Sequence, residues 1–201
     1  MILIGASGHA KVIIDSLQLS GESISCLVDA NPEINELMGY SVIHDAKFTP
    51  GDEPLIFSIG SNEIRQKLAQ HYQANFGRAI HPQTIIDESV ALGEGTVVMA
   101  GVVVNRDTVV GKHAILNTSC SIDHDNELGD YVHISPNATL CGGIKIREGT
   151  HIGAGATIIP NISIGAWATV GAGAVVIEDV PDYATVVGNP ARVIKTKYDK
   201  I

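Results

Sequence analysis

Residues 128–176 read LGDYVHISPNATLCGGIKIREGTHIGAGATIIPNISIGAWATVGAGAVV. Cut every six residues, each piece opens on a branched aliphatic side chain: Leu128, Ile134, Leu140, Ile146, Ile152, Ile158, Ile164, Val170 and Val176. The same step carried upstream meets Ile122, Leu116, Val110, Val104, Val98, Leu92, Ile86 and Ile80, which makes 17 consecutive aliphatic positions. If such residues fill about three positions in ten, chance gives a run of that length with a probability of about one in a billion. The repeat therefore decides the fold before local propensities are consulted.

Within each hexad the second position is often glycine (Gly93, Gly111, Gly129, Gly153, Gly165, Gly171), and the fifth is small or branched (Val102, Ala114, Cys120, Ala138, Ala156, Ala168, Ala174). One aliphatic and one small inward residue per six describes short strands joined by tight turns, with glycine expected where the backbone bends. Three such strands close a triangular coil, so the hexads make a little under six coils. At the spacing of paired strands the prism is about 27 Å long. The unbroken register admits no long loop between Ile80 and Val176. A site must lie on the prism walls or between neighbouring chains.

Composition agrees with this reading. Hydrophobic residues make up 45% but aromatics only 4%, and glycine reaches 21 of 201. Such a core must be built from small and β-branched side chains, which suit stacked strands. The net charge of −9 argues against a nucleic-acid partner, which needs a basic face. Cys26, Cys120 and Cys141 are odd in number and lack metal-ligand spacing, so neither a disulfide framework nor a metal site is expected. No basic leader and no membrane-length apolar run is present, and the expected compartment is cytoplasmic.

Residues 1–78 carry no hexads and read as βαβ units: a strand at Ile2–Ile4, a turn Gly5-Ala-Ser-Gly8-His9, a helix to Leu19, and a strand ending at Asp29. A further strand at Leu55–Ser58 is followed by Gly60-Ser-Asn62 and a helix from about Glu63 to Tyr72. The expected fold is a small Rossmann-like α/β domain over 1–78, followed by an all-β domain over 79–201. In a small parallel sheet the ligand site lies at the carboxyl ends of the strands. Gly5-x-x-Gly8 is only part of a dinucleotide fingerprint, so a smaller nucleotide ligand fits better than NAD.

The polar hexad Ile122-Asp123-His124-Asp125-Asn126-Glu127 breaks the pattern. Asn126 takes the inward fifth position and requires hydrogen-bond partners there. A histidine titrating near neutrality suits a general base, which singles out His124 beside Asp125. Since 142 and 124 differ by 18, Gly142 stacks on His124, and His151 likewise stacks on His133.

About residues 80–195 resemble the hexapeptide-repeat acyltransferases. That resemblance implies a left-handed coil, a homotrimer and an acetyl-CoA site between adjacent prisms, without a metal. The segment VVGNPARVIK, residues 186–195, looks like the family's C-terminal cap. It implies that Asn189, Pro190 and Arg192 lie near CoA, with Lys195 and Lys197 available to its phosphates. The γ-carbonic anhydrase type of the same β-helix would need a His-x4-His pair, and no two histidines here have that spacing.

GASGHAKV (5–12), GSNEIR (60–65) and SIDHDNELGDYVHISPNA (121–138) together resemble the sialic acid O-acetyltransferase-like sugar acyltransferases. Within that family the chain is most similar to the nucleotide-4-aminosugar N-acetyltransferases of bacterial glycan synthesis. The resemblance implies that Ser7, Gly8 and His9 approach the nucleotide-sugar phosphates, that Asp29 and Ala30 hold the base or ribose, and that Gly60 and Asn62 line the same pocket. It implies His124 as base with Asp125 as its carboxylate, the Gly142 amide for the oxyanion, and Asn117 to orient a reacting group. His133, Ala154 and Ala172 would meet acetyl-CoA. O-acetylation of a sialic acid, and a non-catalytic prism used as a spacer, are the alternative expectations. Residues 79–201 alone are expected to fold and to bind acetyl-CoA.

Overall fold

The computed structural model describes residues 1–196; Lys197 lies outside the described residues. The N-terminal sheet is formed by β1 (Ile2–Ile4), β2 (Cys26–Asp29), β3 (Glu36–Leu37), β4 (Tyr40–His44) and β5 (Leu55–Phe57), in the order β3-β4-β2-β1-β5. All pairings are parallel except β3 with β4. The β3–β4 hairpin was not expected from the sequence, because its two strands are short and half-exposed and carry no alternating apolar signal. Helices α1 (Gly8–Leu19) and α2 (Asn62–His71) complete the unit. Because β2 and β5 flank β1, the chain leaves β1 toward opposite sides. The carboxyl ends of β1 and β5 are therefore where an open α/β sheet of this order places a ligand site.

From Ala79–Ile80 to Val175–Val176 every hexad supplies one two-residue strand. The strands form three walls. The first holds the strands at residues 79, 97, 115, 133, 151 and 169, the second those at 85, 103, 121, 139, 157 and 175, and the third those at 91, 109, 127, 145 and 163. Partners are 18 residues apart throughout, as in Val103↔Ser121, Glu127↔Lys145 and His133↔His151. The first-position aliphatics from Val98 to Val176 are buried and form one continuous core. Strands Thr185–Val187 and Arg192–Lys195 pair antiparallel and cap the first wall.

The glycines act differently from expectation. The residue with positive φ is the fourth of the hexad, as at Gly95, Asp107, Asp125, Tyr131 and Trp167. The second-position glycines instead lie under the next coil. A Cβ at Gly93 would come within 2.4 Å of the Gly111 backbone, and one at Gly153 within 2.6 Å of Ala172 N. Close stacking, and not bending, selects glycine there.

The two parts share a core. Leu3, Ala10, Ile13, Ile14 and Leu17 pack with Ala79, Val97, Met99 and Ile115, which project outward from the first wall. Residues 79–201 without the N-terminal unit would expose this surface.

A side chain forced between coils is predicted to be costly. Gly153→Val should lower stability by about 1–3 kcal/mol, whereas Gly155→Asn should leave it within about 0.5 kcal/mol, because Asn tolerates positive φ. Gly155 has φ +65° and open space around its Cβ position. Urea unfolding of both variants checks the contrast.

Candidate active site

His124 occupies the corner between the second and third walls. Its Nδ1 lies 2.6 Å from Asp125 Oδ2, so the carboxylate reaches the ring. Asp125 manages this from a left-handed backbone position, φ +58°. The Asp125 hydrogen bond, assisted by the Asp123 charge, holds the His124 pKa above the usual imidazole range. Asp123 Oδ1 also accepts from the His124 amide at 2.9 Å and from Asn105 Nδ2 at 2.9 Å.

The corner is braced from inside. Asn126 is fully buried, and its side chain donates to the Asp123 carbonyl while accepting from the Ile144 amide at 2.8 Å. Thr108 Oγ1 donates to the same Asp123 carbonyl at 2.9 Å. The inward polar residue is thus satisfied, and the carbonyl preceding the histidine is fixed by two donors.

The His124 ring lies against Gly142. A Cβ at 142 would come 2.6 Å from the ring Cε1 and 2.8 Å from Nε2, so only glycine leaves the ring its place. Third-position amides point out at the corners. Some are captured by side chains, as Lys112 N by Asp130 and Thr118 N by Asn117. Among the described residues nothing takes the amides of Gly142, Ala154 or Ala172. All three hold the same hexad position.

A second cluster lies on the first wall and its corner with the second. Asn117 Nδ2 meets His133 Nε2 at 3.0 Å, the His133 and His151 rings stack 4.8 Å apart, and His9 lies 6.5 Å from His133. His151 Nε2 is 2.8 Å from Ser135 Oγ. Burial pushes the His133 pKa down to about 3, helped by His151, Arg65 and His9. Burial and Arg65 push that of His9 down to about 4. His9 Nε2 is buried and has no hydrogen-bond partner.

The glycine turn lies at the end of β1. Gly5 has φ +113°, and a Cβ there would meet Ile59 Cγ1 at 2.8 Å. Ser7 caps α1 with an exposed side chain that makes no capping bond, and Gly8 is exposed with open space around it. Asp29 uses both oxygens on backbone amides, Ala6 at 2.7 Å and Asn31 at 2.8 Å, and so braces the turn. Ala30 and Gly60 are exposed beside it.

Two residues of α2 make contacts that the sequence does not predict. Asn62 faces the β-helix: its Nδ2 donates to the Gly149 and Thr150 carbonyls at 3.0 and 3.2 Å, and its Oδ1 accepts from Arg65 at 2.9 Å. Its side chain therefore joins the two units, while Asn62 and Gly60 together line a pocket with Gly149 and His151. Arg65, buried beside it, was passed over because an arginine inside an amphipathic helix gives no distinct sequence signal. On the cap, Arg192 and Lys195 are exposed, and Asn189 and Pro190 lie at the turn before them.

The chain matches the PglD N-terminal domain over residues 1–72 and the bacterial transferase hexapeptide repeats over residues 143–178. PerB of Caulobacter crescentus, solved with CoA and GDP-perosamine, is 39% identical, with a TM-score of 0.88 over 96% of this chain and 96% of that chain. The chain belongs to the PglD-type hexapeptide sugar acyltransferases. The acetyltransferase domain of PglB from Neisseria gonorrhoeae FA1090, solved with acetyl coenzyme A, is 33% identical, with a TM-score of 0.88 over 96% of this chain and 98% of that one. UDP-N-acetylbacillosamine N-acetyltransferase of Bacillus subtilis (strain 168) is 45% identical over 109 residues, 49% of this chain and 50% of that protein's length. No helix among the described residues is long and apolar enough to cross a membrane, and no group of three or more His, Cys, Asp or Glu among them could hold a metal ion.

The histidines of this acyltransferase should titrate in opposite directions. Asp125→Asn should lower the His124 midpoint, while His9 and His133 stay neutral well below pH 6, as read by NMR. The unfolded chain protonates its imidazoles near pH 6.5, whereas folded His9, His113 and His133 do so only at about 4, 4 and 3. The unfolded state therefore binds more protons in that window, and stability falls as the pH drops from about 6.5 toward 4. Urea midpoints at pH 7 and pH 5 check the sign.

Proposed function

We propose that this protein transfers the acetyl group of acetyl-CoA to the 4-amino group of a nucleotide-linked aminodeoxysugar. The observation that carries the reading is the His124–Asp125 pair lying over the uncommitted amide of Gly142. The relatives support it: PerB was solved with CoA and GDP-perosamine, and the B. subtilis relative is named for N-acetylation of a UDP-sugar.

In the proposed reaction the sugar amine attacks the thioester carbonyl and His124 Nε2 takes its proton. Asp125 on Nδ1 keeps that tautomer and stabilises the imidazolium. The developing oxyanion meets the Gly142 amide. Collapse expels the CoA thiolate, which recovers the proton from His124. Asn117 and neutral His133 orient the acetyl group, and the Ala154 and Ala172 amides bond the pantetheine arm. Asn189, Pro190 and Arg192 border the rest of CoA.

We assign acceptor binding to residues 1–78 and acetyl transfer to residues 79–201. The free amides at the start of α1, in Ser7-Gly8-His9, suit the phosphates. His9 Nε2, buried and unpartnered, is left for the acceptor, and Asp29, Ala30 and Gly60 border the base and sugar.

His124 stands across the second wall from Asn117 and His133, so the acceptor pocket of one chain needs the base of another. We therefore read the protein as a homotrimer packed through its second walls. The outward column there is uncharged (Ile85, Val103, Ser121, Thr139, Thr157, Val175), whereas the third wall carries the Lys145–Glu127 ion pair. The free thiols of Cys26, Cys120 and Cys141 fit a cytoplasmic enzyme.

Acetylation of UDP-, GDP- and dTDP-linked 4-aminosugars, followed by mass spectrometry, tests the activity and identifies the nucleotide. His124→Ala should lower kcat by about 10²–10⁴-fold with acetyl-CoA affinity unchanged. A folded variant with near-full turnover removes His124 from the mechanism. Analytical ultracentrifugation should find a trimer, and a fully active monomer would overturn the shared site.

A further inference from the structure

Arg65 is 1% exposed, and none of the ion pairs among the described residues includes it. Its five N–H groups are nevertheless all engaged. Nε donates to the His113 carbonyl at 3.0 Å, Nη1 to the carbonyls of Ile59 at 3.1 Å and Gly60 at 3.0 Å, and Nη2 to Asn62 Oδ1 at 2.9 Å and the Tyr131 carbonyl at 2.9 Å. Three acceptors belong to the loop after β5 and two to the β-helix.

The two on the β-helix are 18 residues apart, on successive coils of one corner. Asn62, held by Arg65, donates in turn to the Gly149 carbonyl, one coil further on. A single fork thus fixes the loop 59–62 at His113, Tyr131 and Gly149, three coils in a row. The same loop reaches the site, because the Gly60 backbone lies near enough to the His133 ring to favour its protonated form, against the larger effect of burial.

We propose that Arg65 is a positioning residue, which sets the acceptor loop 59–62 against the β-helix and so determines where the acceptor meets the acetyl group. The proposal rests on the acceptor-site reading above. Only a planar guanidinium spans these acceptors; an ammonium has three donors on one nitrogen and cannot reach both the loop and two coils.

The test compares wild type with Arg65→Lys, Arg65→Met and Asn62→Ala. Arg65→Lys and Arg65→Met should lower kcat/KM for the nucleotide sugar by about 10²-fold, the effect of a displacement of about an ångström, with KM for acetyl-CoA within about twofold. Asn62→Ala, which removes the third tether and one of the five acceptors of Arg65, should cost about tenfold of the same kind. Amide exchange in the first turn of α2, where the Arg65 amide donates to the Ser61 carbonyl, should quicken in all three. A folded Arg65→Lys with wild-type acceptor kcat/KM, or a loss confined to acetyl-CoA, overturns the proposal. If Arg65→Met fails to fold, Arg65→Lys and Asn62→Ala decide. If wild type acetylates none of the sugars, the functional reading falls separately, and exchange decides the clamp: unchanged protection in the first turn of α2 in Arg65→Lys overturns it.

Discussion

The molecule depends on strands stacking in register every 18 residues. Because each coil lies directly on the last, a residue's environment is set mainly by the residues 18 before and 18 after it. This places the His124 ring on Gly142, His133 on His151, and the three carbonyl carriers His113, Tyr131 and Gly149 in one line. It also explains the buried polar residues at fifth positions. Thr96, Thr108, Thr150 and Asn126 tie corner carbonyls or amides of their own or neighbouring coils, so each inward hydroxyl or amide finds a partner.

The outward column of the first wall shows how one repeat serves two purposes. It begins Ala79, Val97, Ile115 and continues His133, His151, Thr169. The apolar half seats α1, each large side chain contributing about 1.5–3 kcal/mol on burial. The polar half begins where that contact ends, and there the wall becomes the floor of a cleft. Docking of the N-terminal unit and formation of the site are thus two segments of a single column, which is why the units are not energetically separate.

The β-helix was legible because its core pattern is periodic and local: one aliphatic in six marks every strand. His124 stood out in the polar hexad, and its stacking with Gly142 and that of His133 with His151 followed from arithmetic once the coil length was known. Contacts between the two units were not legible, since Arg65 and Asn62 bond backbone carbonyls, which carry no sequence identity. The second-position glycines were found but misread, because a turn and a close approach select the same residue. The bracing of the glycine turn by Asp29, whose carboxylate accepts from the amides of Ala6 and Asn31, was not legible either, since its partners are backbone amides.

His124 and His133 lie nine residues apart yet are pushed in opposite directions. His124 is exposed beside two carboxylates, which favour its protonated form; His133 is buried among His9, His151 and Arg65, which forbid it. In the reaction proposed above, His124 as base must accept a proton and release it, whereas His133, orienting the thioester, must keep one tautomer. Neutral His133 accepts at Nε2 from the Asn117 amide, a bond that a protonated ring could not make. Arg65 supports that neutrality without a compensating anion, since its charge is solvated wholly by carbonyl and amide dipoles. An Asp or Glu partner would have satisfied the guanidinium equally well, but it would also have drawn protons onto the neighbouring imidazoles. Separate environments for chemically identical side chains are how acid–base roles are divided in one site, and here the division follows from which corner or wall each histidine occupies.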